Sequence, residues 1–363
     1  MKYISANARL ALYAEGEFGK GRSKTAEGVM RYGQNPIAAV IDSTAAGKTI
    51  KETVGIDCPA PIVASIQDSL AYKPNVLLLG TATTGGRLPD SWRADIILAI
   101  KNGLDIVNGL HDFLEDDPEI KAAASAHGKL LLDVRKAPED LPIASGLAKK
   151  VKGFTVLTVG SDVSIGKMTT SLELLKSAEK RNLKAEFVAT GQTGIMVTGG
   201  KGIAIDRVIG DFMAGAAEQM VLAADESCEL IFVEGQGSLA HPGFSGVTLS
   251  LLHGSCPKAM ILCHQPSRKL IGRLPDFPIL DLNRMIALNE TMAALMQPAK
   301  VVGIALNTNG LNEADARQAI LAIEKETGLP CIDPVRYGSD VLIDAILAAR
   351  KNYLSTTKQL VEH

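Results

Sequence analysis

The feature that most restricts this chain is the run FTVLTVGSDVSIGKMTT, residues 154–170. An apolar strand ends at Gly160, a short loop follows, and Gly166-Lys167 opens a long helical pattern. That order suits an anion. Small residues let backbone N–H groups turn inward as a nest, the helix N-terminus adds a partial positive charge, and the lysine adds a full one. Gly160, Ser161, Asp162, Val163, Ser164, Ile165, Gly166, Lys167, Met168 and Thr169 are therefore expected to wrap the phosphates of a nucleotide-like ligand. Lys167 is expected to face that anion and to be unpaired while the site is empty.

The run departs from G-x-x-x-x-G-K-[ST] in an informative way. Five residues rather than four separate Gly160 from Gly166, and Met168 stands where the pattern has Ser or Thr. That hydroxyl ordinarily ligates the Mg²⁺ of a nucleoside triphosphate, and a thioether is a poor ligand for a hard cation. Thr169 and Thr170 follow, but positions one or two along a helix face other directions. The loop is thus expected to hold phosphate, with neither Mg²⁺ nor ATP required.

Around this motif the pattern is α/β throughout. Apolar runs at 9–13, 38–41, 76–79, 104–107 and 130–134 alternate with helical stretches at 92–102 and 117–126, the latter with Pro118 at N1 after an Asp117 cap. A second series has strands at 154–159, 185–189, 230–233, 259–263 and 301–306, and helices at 167–181, 208–224, 281–296, 312–327 and 339–354. Between the series, KAPEDLPIASGLAKKVKG at 136–153 reads as a charged connector open to proteases. The expectation is two doubly wound parallel domains: a Rossmann-like one over 1–145 and a P-loop one over 146–363. A length of 363 residues and a hydrophobic fraction of 46% supply two cores.

Charge and cysteines narrow the partners. A formal charge of −2 gives no reason to expect nucleic acid or an anionic membrane surface. Five scattered cysteines without C-x-x-C spacing fit a reducing cytosol, and no metal-ligand spacing is present. A soluble, cytoplasmic homo-oligomer acting on a small molecule is expected. In the first domain, Ala45–Thr49 ends in GKT without a glycine-rich lead and reads as an ordinary loop. Asp42 ends the second strand, where a ribose-binding acid would stand, but Gly16–Gly21 has the wrong order for a dinucleotide fingerprint.

Ligands of open parallel sheets gather beyond the carboxyl ends of the strands. There Gly191, Gln192, Thr193 and Gly194 form a small-residue loop, and Glu234 occupies the place of a Walker-B-like acid. Desolvation behind a buried strand would raise its pKa and make it the best candidate base. His241 and His264 are the imidazoles nearest this rim, and His111 lies in the first domain, where it is a candidate to face the cleft. Arg87, Arg207, Arg268 and Arg273 are available for a carboxylate substrate, since a guanidinium binds it in two parallel hydrogen bonds.

The runs NVLLLGTATTGGRLPDSW, NGLDIVNGLHDFLEDDPE, TVGSDVSIGKMTT, ATGQTGI, VEGQGSLAHPG and CHQPSR together resemble one bacterial family. It was long catalogued as a domain of unknown function, with an N-terminal Rossmann-like domain and a C-terminal P-loop domain, and its members include D-glutamate N-acetyltransferases. The resemblance spans nearly the whole chain. It implies acetyl-CoA as co-substrate and D-glutamate or a similar acidic amino acid as acceptor, with the phosphate loop anchoring coenzyme A. The P-loop half is also similar, more distantly, to dethiobiotin synthetase, which leaves an ATP-dependent ligase or kinase as the alternative, beside a non-catalytic nucleotide-binding regulator. For acetyl transfer, Glu234, His264 or His241 would act as base. Amides of Gly191–Gly194 would serve as oxyanion donors, and the arginines would hold carboxylates.

Overall fold

The computed structural model describes residues 4–224, 226–272 and 274–361. Its chain divides into two compact units: residues 1–138 with 191–207, and residues 139–190 with 208–363. Segment 191–207, which the sequence places in the second domain, thus folds with the first unit.

The first unit holds one parallel sheet of β1 (Leu10–Tyr13), β2 (Ile37–Ile41), β3 (Ile62–Val63), β4 (Val76–Leu79), β5 (Asp105–Asn108) and β6 (Leu131–Asp133). Their spatial order is β3-β2-β1-β4-β5-β6, the Rossmann arrangement with its switch point between β1 and β4. The strands are short apolar runs, buried on both faces. Tyr13 closes the core edge-on against Trp92, ring centroids 5.0 Å apart, and its hydroxyl donates to Asp95 at 2.6 Å.

No ribose-binding arrangement survives at Asp42. Its Oδ2 accepts from the Phe18 N–H at 2.8 Å, and Oδ1 accepts from the Thr44 N–H and hydroxyl, each at 2.7 Å. A fully buried carboxylate with its lone pairs so occupied is a structural acid. The nearby GKT ending has an equally local cause. Thr49 caps the helix Ile50–Val54 in a reciprocal box with Glu52.

The second unit holds β7 (Phe154–Gly160), β8 (Ala185–Val188), β9 (Leu230–Val233), β10 (Ala259–His264), β11 (Lys300–Leu306) and β12 (Cys331–Ile332), again all parallel. The order is β12-β11-β10-β7-β9-β8, so the connection leaving β7 runs to one side of the sheet and that leaving its neighbour β10 to the other. The phosphate loop therefore leaves the sheet at its switch point, where the flanking crossovers open a crevice.

Helix caps follow the sequence. Asp117 accepts from the N–H groups of Glu119 and Ile120, and Asn312 accepts from that of Asp315. Elements beyond those expected include β3, β12 and the helices Lys24–Tyr32, Ile50–Val54, Ile66–Ser69, Gln192–Val197, Ser245–Ser255 and Pro334–Tyr337. Among the described residues, no helix is long and apolar enough to cross a membrane.

The connector is docked onto the second unit. The Glu218 carboxylate, buried on the helix Gly210–Leu222, accepts from the Ser145 N–H at 2.7 Å, the Ser145 hydroxyl at 3.0 Å, and the N–H groups of Leu147 and Ala148. Burial alone would raise its pKa, but these donors hold it below the ordinary carboxylate value. Gly215 lets the connector approach so closely that a Cβ there would lie 1.7 Å from Pro142 O. A polar, charged composition here conceals a buried acid that satisfies the backbone.

Candidate functional site

The phosphate loop has the backbone form an anion nest needs. Ser164 and Gly166 take φ of 54° and 113°, breaking the loop into alternating hands. Gly166 is the N-cap of the 14-residue helix Lys167–Lys180 and has no side-chain cap, so the helix's first amides point into the loop. Gly160 sits in a tight approach, since a Cβ there would stand 3.0 Å from Lys167 Nζ and 3.1 Å from Asp162 O.

Lys167 differs from expectation. It is buried, and its Nζ donates to Asp162 O at 2.8 Å rather than standing unpaired. Burial pushes its pKa down to about 8, partly opposed by the nearby Cys263, Asp162 and Glu234. Two helix hydroxyls beyond Met168 turn inward. Thr170 Oγ1 accepts from Cys263 Sγ at 3.4 Å, and Ser171 Oγ lies 3.1 Å from Thr158 Oγ1.

Asp162 was read only as a loop residue, but it is the loop's anchor. Its Oδ2 accepts from Arg268 Nη1 and from the Gly272 N–H, both at 2.8 Å, and the same Nη1 donates to Val163 O at 2.7 Å. Burial would raise the Asp162 pKa, but Arg268 and the amides of Gly272 and Val163 hold it below its ordinary value. Arg268 therefore ties the segment after β10 to the phosphate loop. Ser161 makes a second tie, its Oγ 2.8 Å from His264 Nδ1. Burial, with a smaller contribution from Lys269, pushes the His264 pKa down to about 4, so its ring is neutral near pH 7.

Glu234 directly follows β9 and is buried. Its Oε2 accepts from the Thr190 N–H at 2.9 Å, and its carbonyl accepts from the Thr190 hydroxyl at 2.8 Å. Gly235 then presses on β7. Its N–H donates to Thr158 Oγ1 at 2.9 Å, and a Cβ there would fall 1.6 Å from Thr158 O and 3.1 Å from Lys167 Cδ. This contact brings the acid-bearing turn against the lysine stem. The buried His241 has a narrower role. Its Nδ1 accepts from the Gly243 N–H at 3.1 Å, which leaves Nε2 to carry the ring proton as a donor.

The second unit thus brings together the phosphate loop, Glu234, His264 and Arg268, with His241 in the turn after β9. Gly191–Gly194, Arg87 and Arg207 lie in the first unit. Gly191 is the N-cap of Gln192–Val197, so the segment read as a loop is a helical first turn, with Thr193 bonded to Thr25 at 2.9 Å. Arg87 pairs with Asp112 at 3.0 Å, and Arg207 lies over Phe113. Arg273 falls outside the described residues. Arg135, two residues past β6, pairs with Asp206 and donates from Nε to Gly109 O at 2.8 Å; LLDVRK sets this arginine just beyond a buried strand, a signal the sequence offered.

Comparison with known proteins meets the two sheets in turn, although the second profile also runs through 191–207, which folds with the first unit. Residues 43–138 match a family profile described as a Rossmann-like domain of unknown function (DUF1611_N), and residues 142–343 match one described as a P-loop domain of unknown function (DUF1611_C). A protein from Tritonibacter scottomollicae named D-glutamate N-acetyltransferase is 40% identical over 286 residues, covering 78% of this chain and 84% of that one. Another of the same name, from a Pseudoalteromonas species, is 40% identical over 280 residues, covering 77% and 83%. The crystal structure of a DUF1611 family protein from Anabaena variabilis is similar with a TM-score of 0.90 and 44% identity, over 94% of this chain and 100% of that one. The two profiles meet the Rossmann-ordered sheet and the phosphate-loop sheet in turn, and the chain belongs to the DUF1611 family.

Proposed function

We propose that this chain transfers the acetyl group of acetyl-CoA to the amine of D-glutamate, with the phosphate loop anchoring the phosphates of coenzyme A. The carrying observation is a formed anion nest that keeps Lys167 and has Met168 at the metal-ligand position, in a chain 40% identical to proteins named for this activity. Coenzyme A carries a pyrophosphate and a 3′-phosphate, so such a loop serves as an anchor without hydrolysing anything.

In this reading Glu234 takes a proton from the substrate ammonium. The freed amine attacks the thioester carbonyl, the new C–N bond forms, and the C–S bond breaks. The sulfur leaves as thiolate and takes up the proton that the new amide nitrogen sheds, giving N-acetyl-D-glutamate and free coenzyme A. His241 Nε2–H suits donation to the developing oxyanion, while a neutral His264 braces Ser161 in the loop. A positioned base contributes about 10²–10⁴-fold. The test is thiol release from acetyl-CoA with D- and L-acidic amino acids, with the product identified by mass spectrometry. Release with D-glutamate is expected. No release with any acceptor, alongside Mg²⁺-dependent ATP hydrolysis, would favour the ligase or kinase reading instead.

A further inference from the structure

Coenzyme A has two unlike ends. Its pyrophosphate joins an adenosine half to a pantetheine half that carries the thioester. The second sheet is two-sided about the same point: β7, which leads into the phosphate loop, has β9 on one flank and β10, then β11, on the other. Glu234 directly follows β9, so a thioester brought to it leaves the loop on the β9 flank. The adenosine half then leaves over the carboxyl ends of β10 and β11, where ligands of open parallel sheets gather.

His264 and Asn307 stand at those ends. His264 closes β10 and is tied to the loop through Ser161 Oγ. Asn307 directly follows β11, is half-buried, and donates its N–H to His264 O at 2.8 Å. Its Oδ1 accepts from the Asn309 N–H at 3.1 Å, which orients the amide, while Nδ2 donates to no acceptor among the described residues. The turn that presents it is braced from beneath. Asp333, buried just past β12, accepts from the Thr308 N–H at 3.0 Å and hydroxyl at 2.5 Å, and from the N–H groups of Val335 and Arg336 at 3.0 Å. Arg336 in turn donates to Leu311 O at 2.8 Å. The Asp333 carboxylate is thus spent within the protein, as that of Asp162 is on Arg268 and Gly272. With His264 neutral near pH 7, this pair of side chains offers a ligand an uncharged amide beside an uncharged imidazole. That suits a neutral heterocycle with donor and acceptor edges better than a further phosphate.

We propose that the ends of β10 and β11 form the adenine subsite of the coenzyme A anchor, with Asn307 reading the edge of the base. Nδ2 donates to the adenine N7, and the second lone pair of Oδ1 accepts from the exocyclic amine, the bidentate match by which asparagine selects adenine. The proposal rests on the reading above that the phosphate loop holds the pyrophosphate of coenzyme A. It adds the direction in which the ligand lies and the residue that recognises its base.

The test is calorimetric titration of the full chain with ADP, inosine diphosphate and inorganic pyrophosphate, followed by the KM for acetyl-CoA in thiol release. The unmodified chain should bind ADP about tenfold to hundredfold more tightly than inosine diphosphate, whose 6-oxo group meets Oδ1 acceptor to acceptor. Asn307→Ala should erase that preference and leave the affinity for pyrophosphate as it was, which also reports an intact loop. No binding of ADP by the unmodified chain, equal binding of the two nucleotides, or an undiminished preference in Asn307→Ala would each overturn the subsite. Loss of pyrophosphate binding in Asn307→Ala would overturn it too, by making Asn307 a prop of the loop. The two readings fail separately. An ADP preference that depends on Asn307, without thiol release from acetyl-CoA, would leave the subsite standing and refute acetyl transfer. Thiol release with an unchanged KM for acetyl-CoA in Asn307→Ala would do the reverse.

Discussion

Replacing Lys167 separates what the loop contributes to binding from what it costs the fold. Nζ is buried against Asp162 O, and burial lowers its pKa from 10.5 to about 8. That fall corresponds to about 3 kcal/mol of unfavourable free energy for keeping the ammonium charged in the empty loop near neutral pH. Lys167→Ala relieves this cost but loses one hydrogen bond, about 1 kcal/mol, and three buried methylenes, about 2.4 kcal/mol. The terms cancel to within about 1 kcal/mol, so the melting temperature should move by no more than about 3 °C.

Binding has no such compensation. A charged hydrogen bond to phosphate is worth about 1.5–3 kcal/mol, so the dissociation constant for coenzyme A should rise roughly tenfold to hundredfold. Lys167→Met keeps most of the stem and should lose the same affinity. Titration calorimetry and thermal melts of both variants check this. Unchanged coenzyme A affinity would refute the loop as the phosphate site. A melting temperature lowered by more than about 10 °C in Lys167→Met would refute the cancellation argued here.

Four further outcomes are expected. Coenzyme A affinity should fall as pH rises through about 8, because Lys167 is about nine-tenths charged at pH 7 and about one-tenth charged at pH 9. Its effect on stability has the opposite trend. The burial cost is full below about 8 and gone above the unfolded value of 10.5, so the unmodified apo chain should gain on Lys167→Met across that window. Met168→Thr restores the missing hydroxyl and should improve Mg-ATP binding in titrations without raising acetyl transfer. Glu218→Ala strips four donors of their acceptor and should make 139–150 the first site of limited proteolysis, whereas the unmodified chain resists there.

Long apolar runs made most of the fold legible before any coordinates. Val76–Leu79 and Leu230–Val233 match their expected strands residue for residue, and Lys167 opens its helix as read. Several of the elements passed over have little pattern to display, although the amphipathic helix Lys24–Tyr32 was missed despite having one. β3 and β12 are two residues each, and SGVTLSLLHGS carries no charged residue to mark a solvent face. The site was legible as motifs but not as partnerships. Lys167, Glu234 and His264 announce themselves by position at strand or helix ends. That Asp162 engages Arg268, Glu218 engages Ser145, and Arg135 engages Asp206 depends on pairs 71–106 residues apart, which no local spacing reveals. The exchange of 191–207 between units is hidden for the same reason, since its composition is that of the loops around it.

The account is tested most directly by thiol release from D-glutamate with acetyl-CoA and with acetyl-pantetheine, which lacks the nucleotide phosphates, in the presence of EDTA. The prediction is full turnover with acetyl-CoA despite chelation. With acetyl-pantetheine, kcat/KM should be at least about tenfold lower, and Lys167→Ala should lower only the acetyl-CoA value. Equal use of both thioesters, or turnover that stops in EDTA and returns with Mg²⁺, would contradict a metal-free phosphate anchor.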